Sequence, residues 1–183
     1  MERNEKLQAL ANYLGVEPSY FEEKESYDEN LFESKEYNEE YLVLTEEEAR
    51  EYADRDIRNI FDDLGLESFT PSFQDWILDN ALDSEPFDAL LDDEIDYFTH
   101  IEPDDDDMLE LVLTYQDDPI AYAKTYVFDE ADTFKKFIID NNAIDMKKVV
   151  EECIDQDGVA HFIASYDGNE IDLGNGLYAY RVN

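Results

Sequence analysis

The residues most able to do chemistry in this chain are carboxylates, and one group of them has helical spacing. Five Asp and Glu recur at short intervals, and a run of four consecutive Asp follows them. The group consists of Glu85, Asp88, Asp92, Asp93, Asp96, Asp104, Asp105, Asp106 and Asp107. Residues four apart on a helix are separated by about 6 Å of rise, so the first five, here called the acidic row, predict a regular line of negative charge. That spacing is on the scale of successive phosphates along one nucleic-acid strand.

The sequence around the acidic row contains no opposing cation. From Asn59 to Ala123 there is no Lys or Arg, whereas the same 65 residues contain 20 Asp and Glu. Like charges four residues apart destabilise a helix, and lysines would serve solubility equally well. The one-sided charge therefore favours a functional surface. A solvated face that keeps an aromatic-rich protein soluble and adaptation to high salt are the alternative interpretations.

The chain as a whole is also strongly acidic. Its 183 residues include 50 Asp and Glu against 13 Lys and Arg, which gives a formal net charge of −37 at pH 7. Duplex DNA carries one charge per about 1.7 Å of axis, so this charge corresponds to at most roughly 60 Å of duplex. Such a field opposes nucleic acid and anionic membranes and attracts proteins that bind nucleic acid. We therefore expect a basic protein partner, with no direct nucleic-acid partner and no membrane partner.

The composition is that of a folded protein and not of an acidic tail. Hydrophobic residues make up 43% of the chain and aromatic residues 14%, whereas disordered acidic segments are poor in both. The length suits one domain, and we expect a single acidic domain over 1–183, with its acidic segment at 84–107. The charged N-terminus is not followed by an apolar stretch, which predicts no signal peptide, no transmembrane segment and a cytoplasmic location.

Groups suited to catalysis or cofactor binding are sparse. Cys153 is the single cysteine, which excludes an internal disulfide and a Cys-rich zinc site. His161, flanked by Asp157 and Asp167, is a candidate general base, but no Ser or Cys nucleophile with a positioned partner is recognisable. The stretch Asp155–Gly158 lacks the first and last ligands of a calcium loop. We expect no catalytic residue, no metal and no cofactor; an enzyme that uses His161 and nearby carboxylates is an alternative.

Helical spacing and capping signals predict most of the elements that would position these residues. The segment that holds the acidic row also carries an apolar stripe, at Phe87, Leu91, Ile95 and Phe98, with Ser84 as its N-cap. The segment from Met108 to Tyr115 fits either a strand or a buried helix. The other predicted helices end at Gly15, run from the Thr45/Glu48 capping box to Gly65, start at Thr70-Pro71, and cover 130–140 and 146–155.

Strand signals are confined to the two ends of the chain. Tyr41–Leu44 predicts a short strand, after a loop at 22–40. Three segments separated by glycine turns, Ala160–Tyr166, Glu170–Leu173 and Leu177–Val182, predict an antiparallel meander over 157–183. We therefore predict an α+β fold, mostly helical, with a small antiparallel sheet formed by a C-terminal β-meander.

Two segments carry a resemblance to known proteins. One is YLVLTEEEA, from Tyr41 to Ala49; the other is DGVAHFIASYDGNE, from Asp157 to Glu170, which GLYAYRVN follows at 176–183. Together they resemble a group of small acidic proteins encoded by bacteriophages and related mobile elements. That group ends in a pattern like D-G-x-G-H-F-x-x-x-Y-D-G-x-E and then Y-x-Y-R-x-N, although Ala160 stands where the group tends to have glycine.

The resemblance implies a phage protein that acts in the cytoplasm of a host bacterial cell. Small acidic phage proteins often serve as counter-defence factors, including anti-CRISPR proteins and inhibitors of restriction enzymes. We therefore expect a non-enzymatic inhibitor, a DNA mimic whose acidic row and Asp104–Asp107 enter the basic channel of a host nuclease. The alternative is an acidic adaptor or regulatory protein with a conventional protein–protein interface. A two-fold homodimer would extend the charged surface.

Overall fold

A computed structural model of the chain describes residues 2–21, 28–102, 105–128 and 130–183. The chain divides into two compact units. Unit 1 combines the residues up to Ser68 with Val150–Asn183, and unit 2 is Phe69–Val149. Division into two packed units does not by itself say whether they unfold together, so one domain over 1–183 stays a prediction.

The sheet lies in unit 1 and has four antiparallel strands in the order β1-β2-β4-β3. The strands are β1 (Leu31–Glu33), β2 (Glu40–Thr45), β3 (Glu170–Gly174) and β4 (Leu177–Arg181). Strand β2 pairs with β4, with Val43 opposite Ala179, so the two ends of the chain meet in the centre of the sheet. Asn175, with φ of 56°, lies in the tight turn between β3 and β4.

The helices of unit 1 cover an apolar core on this sheet. They are α1 (Arg3–Leu14), α2 (Glu46–Leu64), the later part of α8 (Met146–Asp157) and the short α9 (Val159–Ile163). Helix α2 begins at the predicted capping box, and both of its hydrogen bonds are formed. The Thr45 hydroxyl accepts a hydrogen bond from the Glu48 amide, and the Glu48 carboxylate accepts one from the Thr45 amide. The core residues buried between α1 and the sheet are Leu10, Ala11, Phe21, Phe32, Tyr41, Val43, Leu177 and Ala179.

The predicted fold class is confirmed: the protein is mostly helical with a small antiparallel sheet. The predicted strand Ala160–Tyr166 is wrong, because Val159–Ile163 forms α9, which leaves the β3–β4 hairpin of the meander. A short apolar run fits a strand or a buried helix equally well, and Gly158, with φ of 79°, lets the chain turn from α8 into α9. The predicted loop at 22–40 contains β1, and residues 22–27 lie outside the described residues.

Unit 2 consists of helices and connecting segments in its described part. They are α3 (Pro71–Asn80), α4 (Glu85–His100), α5 (Asp106–Thr114), α6 (Pro119–Tyr122), a π-helical turn at Ala123–Val127, α7 (Ala131–Asp140) and the start of α8. The ambiguous segment from Met108 to Tyr115 is therefore helical. Its apolar side packs on α4 through a cluster that includes Leu91, Phe98 and Val112.

No helix in the described ranges combines the length and the apolar character that a membrane crossing requires.

Candidate functional site

Helix α4 carries the acidic row, and its apolar residues fix how the row is displayed. Phe87, Leu91 and Phe98 are buried, which anchors one side of the helix in unit 2. At the start of the helix the Asp83 carboxylate accepts from the Glu85 amide at 3.1 Å. The predicted N-cap, Ser84, contributes its backbone carbonyl and makes no side-chain cap bond. The opposite side of α4 is thereby held towards solvent.

All five carboxylates of the acidic row are exposed. With 3.6 residues per turn, four of them fall within an arc of about 80°, and Asp93 lies about 60° further round the helix. From Glu85 to Asp96 the rise is about 16 Å, or one charge per ~4 Å. One strand of DNA carries a charge per about 3.4 Å of axis. The row thus has nearly the linear charge density of a single phosphate backbone.

Most of the acidic row lacks an internal counter-charge. Asp96 is the exception, because its Oδ1 lies 2.9 Å from His100 Nδ1, with both side chains largely exposed. Among the residues that the structure describes, Glu85, Asp88, Asp92 and Asp93 make no ion pair and no side-chain hydrogen bond. Their charges are therefore available to a partner without the loss of an internal bond.

The aspartates of the run 104–107 differ in their surroundings and roles. Asp104 lies outside the described residues. Asp105 is half-buried and caps α5, since its Oδ1 accepts from the Met108 amide at 3.2 Å. Asp106 and Asp107 are exposed in the first turn, where the positive end of the helix dipole offsets their repulsion. Asp106 and Asp107 therefore remain candidates for binding, whereas Asp105 has a structural role.

The lysines of unit 2 are engaged away from the acidic row. This unit has five Lys and no Arg against 22 Asp and Glu. Lys124 donates to the Leu78 carbonyl at 2.8 Å and lies 3.2 Å from Asp79. The other recorded pairs are Lys135 with Gln74, Lys136 with Asp140 and Lys148 with Asp145. These four lysines of unit 2 therefore pair with residues other than the acidic row.

Helix α4 also carries an exposed tyrosine that no sequence motif marks as part of a site. Tyr97 is 41% exposed, and its ring meets Phe98 edge-on at 5.2 Å between centroids. The charge of Glu102 raises the pKa of the Tyr97 hydroxyl. Exposure of an aromatic residue is a tertiary property, and the sequence offered only its helical position, about 80° round the helix from Phe87 at the edge of the apolar stripe.

The two residues with side chains suited to catalysis, His161 and Cys153, lie in different surroundings. His161 is exposed on α9, and not on a strand as predicted, with its ring edge-on to Phe162 at 5.0 Å. Cys153 is buried, and burial raises the pKa of its thiol to about 11. Across the described parts of the chain, no three His, Cys, Asp or Glu side chains are grouped so as to hold a metal ion.

The chain was compared with protein-family models, with curated proteins and with solved structures, and none of them matches it.

Proposed function

We propose that this protein is a non-enzymatic inhibitor that mimics the charge of DNA. In the cytoplasm of a host bacterial cell it would occupy the basic nucleic-acid channel of a defence nuclease, such as a CRISPR effector or a restriction enzyme. The observation that supports this proposal best is the acidic row on α4, which is exposed and regularly spaced. Four of its five carboxylates have no internal partner among the described residues.

The physics of binding favours a row built in this way. Like charges at helical spacing repel one another in the free protein, and a Lys- and Arg-lined channel relieves that repulsion when it binds. The carboxylates are fixed on a packed helix, so little side-chain and backbone freedom is lost. Counterions leave the partner's basic surface, as they do when DNA binds. Affinity should therefore fall steeply as salt is added.

The proposal can be tested with two variants of equal net charge. In the row variant, Glu85→Gln is combined with Asp88→Asn, Asp92→Asn, Asp93→Asn and Asp96→Asn. The scattered variant also removes five exposed carboxylates, all in unit 1, by Glu17→Gln, Glu36→Gln, Glu47→Gln, Glu51→Gln and Asp155→Asn. A difference between the two variants reports the arrangement of charge and not its amount.

The assay is capture of partners from a nuclease-treated bacterial lysate, followed by inhibition of the captured protein. We expect the native chain and the scattered variant to capture and inhibit one DNA-cleaving protein, and duplex DNA to displace both. The row variant should bind at least about tenfold more weakly, because several exposed charge pairs are lost together. Equal capture and inhibition by the row variant would refute the proposed site.

A second candidate function is an acidic adaptor or regulatory protein with a conventional interface. Exposed apolar side chains at the end of α4 favour it, since Ile101 is 66% exposed and Tyr97 is 41% exposed. Burial of apolar surface is insensitive to moderate salt. A partner that is retained at high salt, and that Ile101→Ser releases while the row variant does not, would identify this second function.

A further inference from the structure

Three tyrosines of unit 2 pack into one aromatic cluster. Tyr115 ends α5, Tyr122 ends α6, and Tyr126 lies in the π-helical turn. Their ring centroids are 5.8 Å apart for Tyr115 and Tyr122, 5.5 Å for Tyr115 and Tyr126, and 5.6 Å for Tyr122 and Tyr126. Tyr122 is buried, whereas Tyr126 is 46% exposed. The cluster thus presents one accessible ring on a packed aromatic base.

Two carboxylates, Asp118 and Glu94, act on the hydroxyls of this aromatic cluster. The hydrogen bond with Tyr126 raises the pKa of the Tyr115 hydroxyl, and the negative charge of Asp118 adds to this effect. Burial raises the pKa of Tyr122, and the charge of Glu94 on α4 contributes in the same direction. The faces of aromatic rings are themselves negative and attract cations. Rings and carboxylates together therefore favour a positively charged ligand.

Other aromatic rings of this chain already carry a cation of the chain itself. Arg181 lies 3.9 Å from the centroid of Tyr166, and Arg55 lies 4.3 Å from that of Tyr52. The remaining pairs are Arg3 with Phe32 and Lys124 with Phe134. Within the described ranges, no Lys or Arg lies over any ring of the tyrosine cluster. The cluster has the surroundings of a cation-binding site without an internal cation.

We propose that Tyr126, supported by Tyr115, stacks against an arginine guanidinium of the partner protein. The proposal rests on the proposed function, which supplies a basic nucleic-acid-binding partner. A planar guanidinium stacks on an aromatic face, whereas a lysine ammonium acts mainly as a point charge. The acidic row binds either cation, although a guanidinium can also bind a carboxylate through two hydrogen bonds. The tyrosine cluster therefore adds to the preference for arginine. A second copy of this chain is an unfavourable occupant, because each copy carries a charge of −37.

The test compares an oligo-arginine peptide with an oligo-lysine peptide of equal length and charge, by calorimetric titration at one salt concentration. We expect the native chain to prefer the arginine peptide about two- to fivefold, as an exposed cation–π contact allows. Tyr126→Ala should lower this preference and leave the affinity for the lysine peptide unchanged. Tyr126→Phe, which keeps the ring, should retain the preference. Tyr37→Ala removes a tyrosine of unit 1 that is 70% exposed and should change nothing.

The outcomes separate this inference from the proposed function. Equal affinity of the native chain for the two peptides, no binding of either, or a preference that Tyr126→Ala leaves unchanged would each overturn the tyrosine contact. The row variant should weaken binding of both peptides. If the row variant binds both peptides as the native chain does, while Tyr126→Ala still lowers the preference, the acidic row is not the binding surface and the tyrosine contact stands.

Discussion

Unit 1 and unit 2 have similar charge but use it differently. Unit 1 contains 28 Asp and Glu against eight Lys and Arg, and unit 2 contains 22 against five. In unit 1 two of the recorded ion pairs join separate parts of the chain: Lys6 Nζ of α1 lies 2.6 Å from Glu48 of α2, and Arg181 of β4 lies 3.1 Å from Glu39. The other two, Arg55 with Asp56 and Arg58 with Asp54, lie within α2. Four carboxylates of the acidic row have no such pair among the described residues. Composition alone therefore does not distinguish charge that holds a fold from charge that is available to a partner.

The largest effect should come from breaking a charge pair of unit 1. The Lys6 side chain is 2% exposed and donates to Glu48 and to Asn30 Oδ1, the latter at 2.7 Å. Lys6→Met leaves these acceptors without their donor, so we expect the free energy of unfolding to fall by about 3 kcal/mol or more. Urea unfolding followed by circular dichroism measures the change.

Arg50→Met is the matched control for Lys6→Met, because Arg50 is exposed on α2. It removes one cation from the same unit and should leave the unfolding midpoint nearly unchanged. Equal destabilisation by the two variants would mean that net charge, and not the buried pair, decides the stability of unit 1.

Low pH should also distinguish the paired carboxylate of Glu48 from the unpaired carboxylates of the acidic row. Burial opposes the charged form of Glu48, but its bonds with Lys6 and with the Thr45 amide and hydroxyl outweigh that effect and lower its pKa below the usual 4.5. Because the pKa of Glu48 is lower in the folded state, the unfolded state binds the proton at a higher pH as the solution is acidified. This stabilisation is present above about pH 4.5 and is lost as the pH falls through the folded pKa. We expect Glu48→Gln to remove this part of the pH dependence.

The measurement for Glu48 is the free energy of urea unfolding between neutral pH and about pH 3. Asp88→Asn, which neutralises one carboxylate of the acidic row, should leave the shape of the native curve intact. Parallel curves for the native chain and Glu48→Gln would contradict the assigned role of the Lys6–Glu48 pair.

A smaller effect is expected at the C-terminal hairpin. The hydroxyl of Tyr180, a buried residue, donates to Glu170 Oε2 at 2.6 Å. Tyr180→Phe keeps the ring and removes this bond, so the free energy of unfolding should fall by about 0.5–1.5 kcal/mol. Tyr178→Phe on the same strand, β4, is the control. An unchanged unfolding midpoint for Tyr180→Phe would show that the bond contributes nothing to the hairpin.

The smallest effect on stability should come from the acidic row itself. Removal of its five charges relieves repulsion along α4 and breaks no recorded bond except that of Asp96 with His100. The urea midpoint of the row variant should equal or slightly exceed that of the native chain. A marked loss of stability would assign the acidic row to the fold and not to binding.

Local signals allowed much of the fold to be predicted from the sequence. The capping box at Thr45 and the Thr70-Pro71 start of α3 depend on residues within one turn, and both occur as predicted. Strand β1 was missed because three residues give almost no periodic signal. α9 was predicted as a strand because a five-residue apolar run fits both structures. What the sequence lacked in these cases was the tertiary packing that decides between them.

The parts of the candidate site that depend on local spacing were predicted from the sequence, and the parts that depend on tertiary packing were not. Helical spacing placed the five carboxylates of the acidic row on one exposed helix correctly, since their periodicity is local. It could not show that Asp105 would be used as a cap, because that depends on where α5 begins. The tyrosine cluster brings together the ends of α5 and α6 and a π-helical turn. Its spacings of seven and four residues would fit one face of a continuous helix, but α5 and α6 are separate helices, so the sequence did not show how the three rings meet.

The two segments that carry the phage-protein resemblance lie together in unit 1. Tyr41–Ala49 includes most of β2, and 176–183 includes β4, the strand next to it. The acidic row lies in unit 2, outside both segments. The acidic row therefore shares no residue with the segments that carry the resemblance, and the resemblance itself stays a prediction.

Charge mimicry by the acidic row is tested most directly by the affinity of the native chain, the row variant and the scattered variant for the captured protein across a range of salt concentrations. We expect the native chain and the scattered variant to bind alike and to lose affinity steeply with salt. The row variant should bind at least about tenfold more weakly at low salt, with a shallower salt dependence. Equal weakening of both variants would show that only total charge matters, and an unweakened row variant would place the binding surface elsewhere.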